Sequence, residues 1–448
     1  MLTNPPFTRV YRRCSGTQHP PENLMIRKIN RRTFAKQSAL FSAPLILPAA
    51  AKGANERLNV GVIGVGGKGA HNLGQMGGEN VVAVCDVDRN RLAGAKNQHP
   101  KAAEHTDYRK LIDRKDIDAV VVTVPDHNHA PATLRALRSD KHVYCEKPLT
   151  HTVEEARAVA AETRKRKLAT QMGTQNHEAP GYLRLVEMLE TKAVGQVREA
   201  HIITDRPGQW WPQGIDAPSG KHDIPAHLDW DLWLGPAKTR PYNPAYAPFK
   251  WRGFWDFGCG AIGDMAIHLM DPSFWGLKLQ GKVKVTSEGP KANNDSAPTW
   301  MITKFEFGKR GDFAPVHVYW YEGTARPKDP LIAEQLPMNG SLFIGDTGRI
   351  ACAHGQSPSI IDGTGKTPDP YLPDSPGHHA QWIQACKTGS RTGSNFEYAG
   401  PFTELVLLGN VAFRVGESID YDPKKGKVTN IDDANTLLRK DYRKGWEI

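Results

Sequence analysis

Apolar residues fall into short continuous runs that alternate with amphipathic stretches from about residue 58 onward. Leu58–Val65 is the first of these runs, and it ends in a group of glycines. A continuous apolar run of this length, closed by a turn signal, predicts a strand that is buried on both faces of a parallel sheet. Runs of the same kind predict three further strands, at Val81–Asp86, Ala119–Val124 and His142–Cys145.

Helical stretches separate these strands, at Arg109–Arg114, Ala130–Ser139 and Val153–Lys165. Strands that alternate with helices predict βαβ units and a doubly wound parallel sheet. The pattern changes after about residue 176, where a helix at Gly181–Thr191 precedes longer strands with alternating apolar positions. These strands are expected at Val197–Thr204, Trp300–Phe307 and Val316–Tyr321. Alternation is typical of half-buried strands, so the second domain is predicted to be α+β, with a large, mostly antiparallel open sheet.

The patterns divide the 448 residues into a leader, a first α/β domain and a second domain, at residues 1–54, 55–178 and 179–448. Helices near His379–Lys387 and Phe402–Gly416 are expected to pack back onto the body. The stretch Pro207–Trp255 is dense in Pro, Gly and Trp and has no regular pattern. Long loops of this kind are usually functional, so we expect this one to contribute to a ligand site.

The formal charge of +10 is concentrated at the N-terminus and does not indicate a nucleic-acid partner. Residues 1–51 carry eight basic residues and one acidic residue, a net +7 that leaves +3 for the rest of the chain. No basic run interleaved with aromatic residues follows, so binding of nucleic acid is not expected. The six cysteines show no CxxC spacing, which argues against a structural zinc site.

The basic N-terminus contains Arg31-Arg32-Thr33-Phe34-Ala35-Lys36, which resembles a twin-arginine export signal. An apolar stretch from Ala39 to Ala51 follows and ends in small residues that suit a cleavage site. Two prolines interrupt this short stretch, so no membrane span is expected. A disordered basic tail is the alternative. Translation starts at Met1 or at Met25, and the protein is expected to be exported to the periplasm.

A glycine-rich turn joins the first predicted strand to a helix, as the G-x-G-x-x-G fingerprint of dinucleotide-binding proteins requires. Its backbone is expected to bind a pyrophosphate at the helix N-terminus, through Gly64, Gly66, Gly67 and Gly69. Asp86 ends the second strand, where a carboxylate binds the adenine ribose hydroxyls and repels a 2′-phosphate. The sequence therefore predicts NAD, with NADP left open by the nearby Arg89. A glycine turn beside an unrelated acid is the alternative.

Two further motifs carry candidate chemistry. Glu146-Lys147-Pro148 ends the fourth strand, and a lysine at this edge faces the ligand crevice unless it is only a surface residue. A glycine-rich approach at Gly258–Gly263 leads into a helix with Asp264, His268 and Asp271 at i, i+4 and i+7. This spacing predicts that the three side chains share one helical face, either solvated or lining a site. The adjacent glycines favour a site, because they let a ligand approach the backbone.

Together these motifs resemble the Gfo/Idh/MocA family of glucose–fructose oxidoreductase, inositol dehydrogenase and rhizopine catabolism proteins. The resemblance covers about residues 57–448. Pro125-Asp126-His127-Asn128-His129, Gly173-Thr174-Gln175 and residues 228–236 are similar to its exported bacterial branch. It implies a Rossmann domain, a substrate domain, and oxidation of a hydroxyl group of a sugar or polyol by NAD. An exported member meets little free nicotinamide, so tight retention of the cofactor is expected.

The resemblance also implies roles for individual residues. Lys147 would hydrogen-bond the reacting hydroxyl, His268 would act as general base and Asp264 would orient the ring. An imidazole pKa near the working pH suits this reversible proton transfer. Further cofactor contacts are expected from Pro125, His129, Glu146 and Lys147. Substrate contacts are expected from His127, Gln175, Trp211 and Arg252, with a structural role as the alternative. No metal site is expected.

Three functions remain open at this stage. The leading one is an NAD-dependent sugar or polyol oxidoreductase. The second is a glycosidase that oxidises a ring hydroxyl with bound NAD, eliminates the glycosidic group, adds water and reduces the ring again. The third is a sugar- or nucleotide-binding protein without catalysis, on the same scaffold. The resemblance further implies a homo-oligomer, either a dimer or a tetramer, formed through the open face of the second sheet.

Overall fold

The computed structural model describes residues 56–448. The expected leader, with its arginine pair, lies outside the described residues. Six parallel strands form the first sheet, in the order β3-β2-β1-β4-β5-β6. They are β1 Asn59–Ile63, β2 Asn80–Cys85, β3 Ala103–His105, β4 Ala119–Val122, β5 His142–Glu146 and β6 Thr170–Gly173.

Burial explains why the apolar runs of this sheet are continuous. All four residues of β4 are buried, because helices cover both faces of the sheet. These helices are α1 Lys68–Gln75, α2 Arg89–Gln98, α3 Tyr108–Ile112, α4 His129–Arg138 and α5 Val153–Arg164. The strand order reverses between β1 and β4, and ligands of doubly wound sheets bind in the crevice at such a point.

Nine strands form the second sheet, in the order β13-β12-β11-β7-β10-β9-β8-β14-β15. Only the pairing of β7 with β10 is parallel, and the alternating burial of β9 gives the sheet one core face. The strands are β7 Val197–Thr204, β8 Val283–Glu288, β9 Met301–Phe307, β10 Val316–Glu322, β11 Gly340–Gly345, β12 Gly348–Ala353, β13 Ser359–Gly363, β14 Ile419–Asp422 and β15 Lys427–Val428.

Seven further helices complete the part of the chain that the structure describes. They are α6 Pro180–Glu190, α7 Trp230–Leu234, α8 Ile267–Leu269, α9 Asp271–Gly276, α10 Pro330–Gln335, α11 His378–Thr388 and α12 Phe396–Val415. A π-helical turn at Ile262–Ala266 directly precedes α8. Helix α11 packs against the first sheet through the buried Trp382, whose indole N–H donates to the carbonyl of Ala169. Nowhere in residues 56–448 is a helix both long and apolar enough to cross a membrane.

The fold class predicted from the sequence is confirmed: a parallel α/β sheet is followed by a mostly antiparallel one. The boundary expected near residue 178 falls between β6 and α6. Helix α12 begins at Phe396 instead of Phe402, because Asn395 caps its first turn by accepting from the amides of Glu397 and Tyr398. Pro401 therefore lies inside the helix.

Candidate active site

The glycine-rich turn after β1 is held in a shape that side chains would disrupt. Gly64 has a φ of +76°, and a Cβ at this position would lie 2.2 Å from the carbonyl oxygen of Thr123. A Cβ at Gly69 would lie 1.8 Å from the carbonyl oxygen of Gly64, so the turn and the start of α1 are in direct backbone contact. A Cβ at Gly67 would meet nothing within 4 Å. The open side of the turn, at the N-terminus of α1, therefore fits a pyrophosphate.

Asp86 closes the ribose end of this crevice. Its carboxylate accepts hydrogen bonds from the amides of Val65 and Asp88, both at 2.9 Å, and burial raises its pKa. The arginine beside it is Arg91, whose side chain lies against Gly66, while the side chain of Arg89 is exposed. From the sequence, Arg89 was the arginine beside Asp86 that left NADP open as the cofactor. In the structure, Arg91 is the arginine beside Asp86 instead.

Glu146 links three segments at the centre of the crevice. Its Oε1 accepts from the side-chain amides of Asn72 at 3.0 Å and Gln175 at 2.9 Å. A Cβ at Gly173 would lie 2.5 Å from the Glu146 carboxyl carbon, so the glycine makes room for this contact. Both Glu146 and Gln175 line the same cavity as the glycine turn.

The turn after β4 places its two histidines differently. Pro125 and His129 line the cavity, and the ring nitrogens of His129 face the carbonyls of Pro148 at 2.6 Å and Val124 at 2.8 Å. This contact ties the turn to the backbone directly after Lys147. His127 does not line the cavity, because its ring nitrogens face the carbonyls of Trp233 and Phe257 in an aromatic cluster. The expected substrate contact of His127 is therefore not seen in the structure.

Lys147, Asp264 and His268 come together at the far end of the cavity. The Lys147 Nζ donates to Asp264 Oδ1 at 2.5 Å and to the Asp264 carbonyl at 3.1 Å. Arg252 Nε lies 3.5 Å from the same Oδ1. Burial alone would raise the pKa of Asp264, but Lys147 and Arg252 outweigh it and lower this pKa to about 2. Asp264 is therefore an ionised carboxylate that pairs with two cations, Lys147 and Arg252.

His268 is a buried imidazole without a hydrogen bond in the described chain, and its Nδ1 is fully buried. Burial, followed by the charge of Lys147, lowers its pKa well below the ordinary value, although Asp264 opposes this shift. The expectation of a pKa near the working pH is therefore wrong for this structure. The ring is neutral instead, and it is able to accept a proton.

Asp271 leaves the face that the sequence assigned to it. The π-helical turn carries Asp264, α8 carries His268, and the helix breaks at Met270 before α9 begins at Asp271. The Asp271 side chain is 1% exposed and pairs with His177 Nδ1 at 2.7 Å and with the Tyr398 hydroxyl at 2.6 Å. A straight α-helix would have kept the three side chains together, but this break buries the third.

Asp126 and Arg206 line the cavity without a role assigned from the sequence, whereas Trp210 was a candidate for substrate or nicotinamide contact together with Trp211. Asp126 accepts from the Cys259 amide at 3.2 Å, and burial raises its pKa to about 7 against the charges of Arg252 and Lys147. Arg206 and Trp210 follow β7 and line the cavity beside Trp211, whose indole N–H donates to Gln213 at 2.8 Å. Arg206 carried no sequence signal, because it lies just before the aromatic-rich loop that contains Trp210 and Trp211.

This loop, Pro207–Trp255, also closes the ribose end of the cavity. The amide of Arg89 donates to the carbonyl of His227 at 2.8 Å, and the amide of Asp229 donates to the carbonyl of Val87 at 2.9 Å. These two hydrogen bonds join the loop to the turn between β2 and α2, across the mouth of the crevice. The cavity has a volume of about 600 Å³ and runs from the glycine turn to His268.

Fold and cavity together define a two-domain dinucleotide-binding protein with a second ligand site next to the cofactor crevice. Residues 58–174 match the profile of the oxidoreductase family with an NAD-binding Rossmann fold. Residues 210–312 and 343–448 match the C-terminal alpha/beta domain of the same family. The chain therefore belongs to the Gfo/Idh/MocA oxidoreductase family, and NAD as the cofactor of its first domain is confirmed.

Related proteins are sugar and polyol dehydrogenases. Inositol 2-dehydrogenase of Salmonella typhimurium is 32% identical over 150 residues, which are 32% of this chain and 45% of that one. The chain thus spans about half the length of the curated relatives that it matches. The WlbA dehydrogenase of Chromobacterium violaceum, solved with NADH and UDP-GlcNAcA, is 16% identical, with a TM-score of 0.60 over 84% of this chain and 99% of that one.

Levoglucosan dehydrogenase, solved with NADH and levoglucosan, has a TM-score of 0.54 at 17% identity, over 82% of this chain and 99% of that one. At such low identity the likeness to these solved structures establishes the fold and not the substrate.

Proposed function

We propose that the protein is an oxidoreductase that transfers a hydride between a hydroxyl-bearing carbon of a sugar or polyol and tightly held NAD. The observation that carries this proposal is the placement of Lys147, Asp264 and His268 at the end of one cavity that begins at the glycine turn. The names of the related proteins, which include inositol and levoglucosan dehydrogenases, support the same substrate class.

Each of the three side chains has a distinct task in the proposed reaction. Lys147 uses two of its donors on Asp264, and its third N–H is left to stabilise negative charge on the reacting oxygen. The neutral His268 accepts the hydroxyl proton. The ionised Asp264 accepts a hydrogen bond from a neighbouring hydroxyl and fixes the orientation of the ring. When NAD is bound, its nicotinamide ring supplies the acceptor for the hydride.

The experiment uses purified mature protein without added cofactor, mixed with free sugars, inositols, levoglucosan and aryl glycosides. Lasting reduction of the bound nicotinamide by a free sugar or polyol, followed by its absorbance, is the expected result. Release of the aryl group without lasting reduction would instead assign the protein to the redox-assisted glycosidases. No response to any compound, with NAD shown to be bound, would contradict both functions and leave a binding protein.

We also propose that the loop Pro207–Trp255 keeps NAD bound between turnovers. Support comes from its hydrogen bonds to Val87 and Arg89, which place it across the ribose end of the crevice. An enzyme that retains its cofactor needs a second substrate or a redox partner to restore the oxidised form.

Export by the twin-arginine pathway is a further proposal, supported by Arg31-Arg32 and the apolar stretch behind it. Residues 1–54 fused to a reporter are expected to carry it to the periplasm, and a Lys-Lys replacement of the arginine pair is expected to stop export. Export that is unaffected by this replacement would contradict the proposal.

Assembly through the open face of the second sheet is proposed as well. This face carries an apolar cluster separate from the core, in which Ile203, Tyr321 and Leu342 are buried. Ile302, Tyr319 and Ile344 pack against them and stay partly exposed, which leaves them able to contact a partner. A second copy of the chain is the expected partner. Light scattering that shows a monomer at micromolar concentration would contradict this.

A further inference from the structure

Arg206 is a cation of the active-site cavity that has no carboxylate partner within residues 56–448. It lies two residues after the end of β7, half-buried, and lines the cavity that contains His268. Across residues 56–448, no Asp or Glu oxygen comes within ion-pair distance of its guanidinium. The adjacent Asp205 is engaged elsewhere, because its Oδ1 accepts from the Asn339 side chain at 2.8 Å. An unpaired cation inside a cavity is available to a ligand.

The other charges at this end of the cavity do not neutralise Arg206. Lys147 and Arg252 share the single carboxylate of Asp264, at 2.5 Å and 3.5 Å. Another carboxyl of the cavity is Asp126, whose pKa of about 7 leaves it partly protonated at neutral pH. Glu146 is engaged by the amides of Asn72 and Gln175. Glu146 keeps its charge, but the three cations Lys147, Arg252 and Arg206 still outnumber the two carboxylates Asp264 and Glu146 at this end of the cavity.

Arg206 is also close to the proposed reacting atoms. Its charge contributes to the lowered pKa of both His268 and His354, and the rings of these two histidines lie 5.7 Å apart. A sugar whose hydroxyl reaches His268 and Lys147 would thus bring another of its substituents to Arg206.

The indole of Trp210 lies against this guanidinium. The Arg206 Cζ lies 3.9 Å from the centre of the indole ring, and the indole itself is 51% exposed. A guanidinium stacked on an indole points its N–H groups outward in its own plane, where they match the two oxygens of a carboxylate. The remaining exposed indole surface can pack against a sugar ring.

We propose that the substrate is a carboxylated sugar, such as a hexuronic acid, and that Arg206 determines this specificity by binding the carboxylate. The proposal rests on the proposed oxidoreductase function and deepens it. The carboxylate takes no part in the oxidation, and no bond to it forms or breaks. Arg206 therefore affects mainly substrate binding, and the effect is expected in KM more than in kcat.

The experiment compares matched pairs on the NAD-loaded enzyme: galacturonate with galactose, and glucuronate with glucose. The kcat/KM for nicotinamide reduction is expected to favour the uronate by about tenfold or more, because charge-assisted bidentate pairs are strong. Arg206→Gln should lose this preference, so that its kcat/KM for the uronate falls to about that for the matched neutral sugar. The KM for the uronate should also rise with ionic strength.

Arg198→Gln is the matched control, because Arg198 is an exposed arginine of β7 that pairs with Asp346 outside the cavity. It should behave as the unmodified protein. Equal use of neutral sugars and uronates by the unmodified enzyme would overturn the proposal, as would an equal loss of both in Arg206→Gln. A preference for sugar phosphates over uronates would also overturn the proposal, because Arg206 would then bind a phosphate and not a carboxylate.

Equilibrium binding separates this proposal from the proposed function. Quenching of tryptophan fluorescence gives the Kd of each sugar for the NAD-loaded protein without turnover. Tighter binding of uronates that is lost in Arg206→Gln would support the proposal even if no sugar reduces the nicotinamide. Active reduction of neutral sugars with no uronate preference in Kd would contradict the proposal and leave the oxidoreductase function intact.

Discussion

His268 is the side chain on which proton transfer in the proposed reaction depends. Its ring is neutral, buried and free of hydrogen bonds within the described chain. We expect His268→Ala to lower kcat by about 10²–10⁴, which is the range for loss of a general base. NAD should stay bound, because the glycine turn and Asp86 are untouched. His99→Ala, at the end of α2, is the control, and stopped-flow reduction is the measurement. Unchanged turnover in His268→Ala would show that His268 is not the general base.

The residues of the site differ in how well the sequence predicted them. Lys147, Asp264 and His268 were found by motifs, and the structure brings all three into one cavity. Asp271 was placed wrongly because the spacing argument assumed a continuous α-helix. Arg206 belongs to no sequence motif. It matters because no carboxylate of the described chain pairs with it, and only the three-dimensional structure shows which charges remain unpaired.

Helix α1 shows the difference between two glycines only five residues apart. A Cβ at Gly69 would collide with the backbone of Gly64, whereas one at Gly74 would meet nothing within 4 Å. We therefore expect Gly69→Ala to lower the unfolding midpoint and abolish NAD binding. Gly74→Ala should bind NAD normally and gain about 0.5–1 kcal/mol in the free energy of unfolding, because alanine favours the helix. Thermal unfolding and NAD titration of both variants test this, and equal behaviour would contradict it.

The turn between β2 and α2 allows one hydrogen bond of the loop Pro207–Trp255 to be removed alone. Arg89 is the first residue of α2, where proline is tolerated, and Asp88 before it has the extended backbone that precedes prolines. Arg89→Pro thus removes the N–H that donates to the His227 carbonyl at 2.8 Å.

Because one hydrogen bond contributes about 1 kcal/mol, NAD release from Arg89→Pro should be about fivefold faster than from the unmodified protein. Arg89→Ala keeps the N–H and controls for the lost side chain. A chase with excess unlabelled NAD measures the release rate. Equal rates in the two variants would show that this contact does not hold the loop over the cofactor.

Elements whose signal is local were predictable, and those that depend on distant pairing were not. The apolar run of β1 and the glycine turn after it can be recognised from about a dozen consecutive residues. The strands β11–β13 have no such signal: β11 pairs with β7, which lies about 140 residues earlier in the chain. Their register is set by pairing with one another and with β7, so the sequence found only β7, β9 and β10 of the nine strands.

At the scale of the whole molecule, the site exists only because the two domains contribute opposite ends of one cavity. The first sheet supplies the glycine turn, Asp86 and Lys147, and the second domain supplies Asp264, His268 and the loop Pro207–Trp255. Lys147 reaches across to Asp264, so this ion pair joins the cofactor half to the substrate half. Loss of the native contact between the two domains is therefore expected to remove activity before either sheet unfolds.

Buried histidines should make the whole molecule unstable in acid. Burial lowers the pKa of four of them to between about 3 and about 4: His127, His129, His378 and His379. Between pH 6.5 and 4 the unfolded chain binds protons at these residues and the folded chain does not, so stability falls as the pH falls. Two buried carboxyls, Asp126 and Glu322, have their pKa raised to about 7 and act in the opposite direction.

Four histidines against two carboxyls leave a net loss of stability on acidification. We expect the unfolding midpoint measured by calorimetry to fall steadily from pH 6.5 to pH 4.5. His379→Gln removes one of the four groups and should reduce the slope by about one proton, since its ring contacts only Asn72 by hydrogen bond. A midpoint that stays constant or rises on acidification would contradict this prediction. It would show that the two buried carboxyls outweigh the histidines.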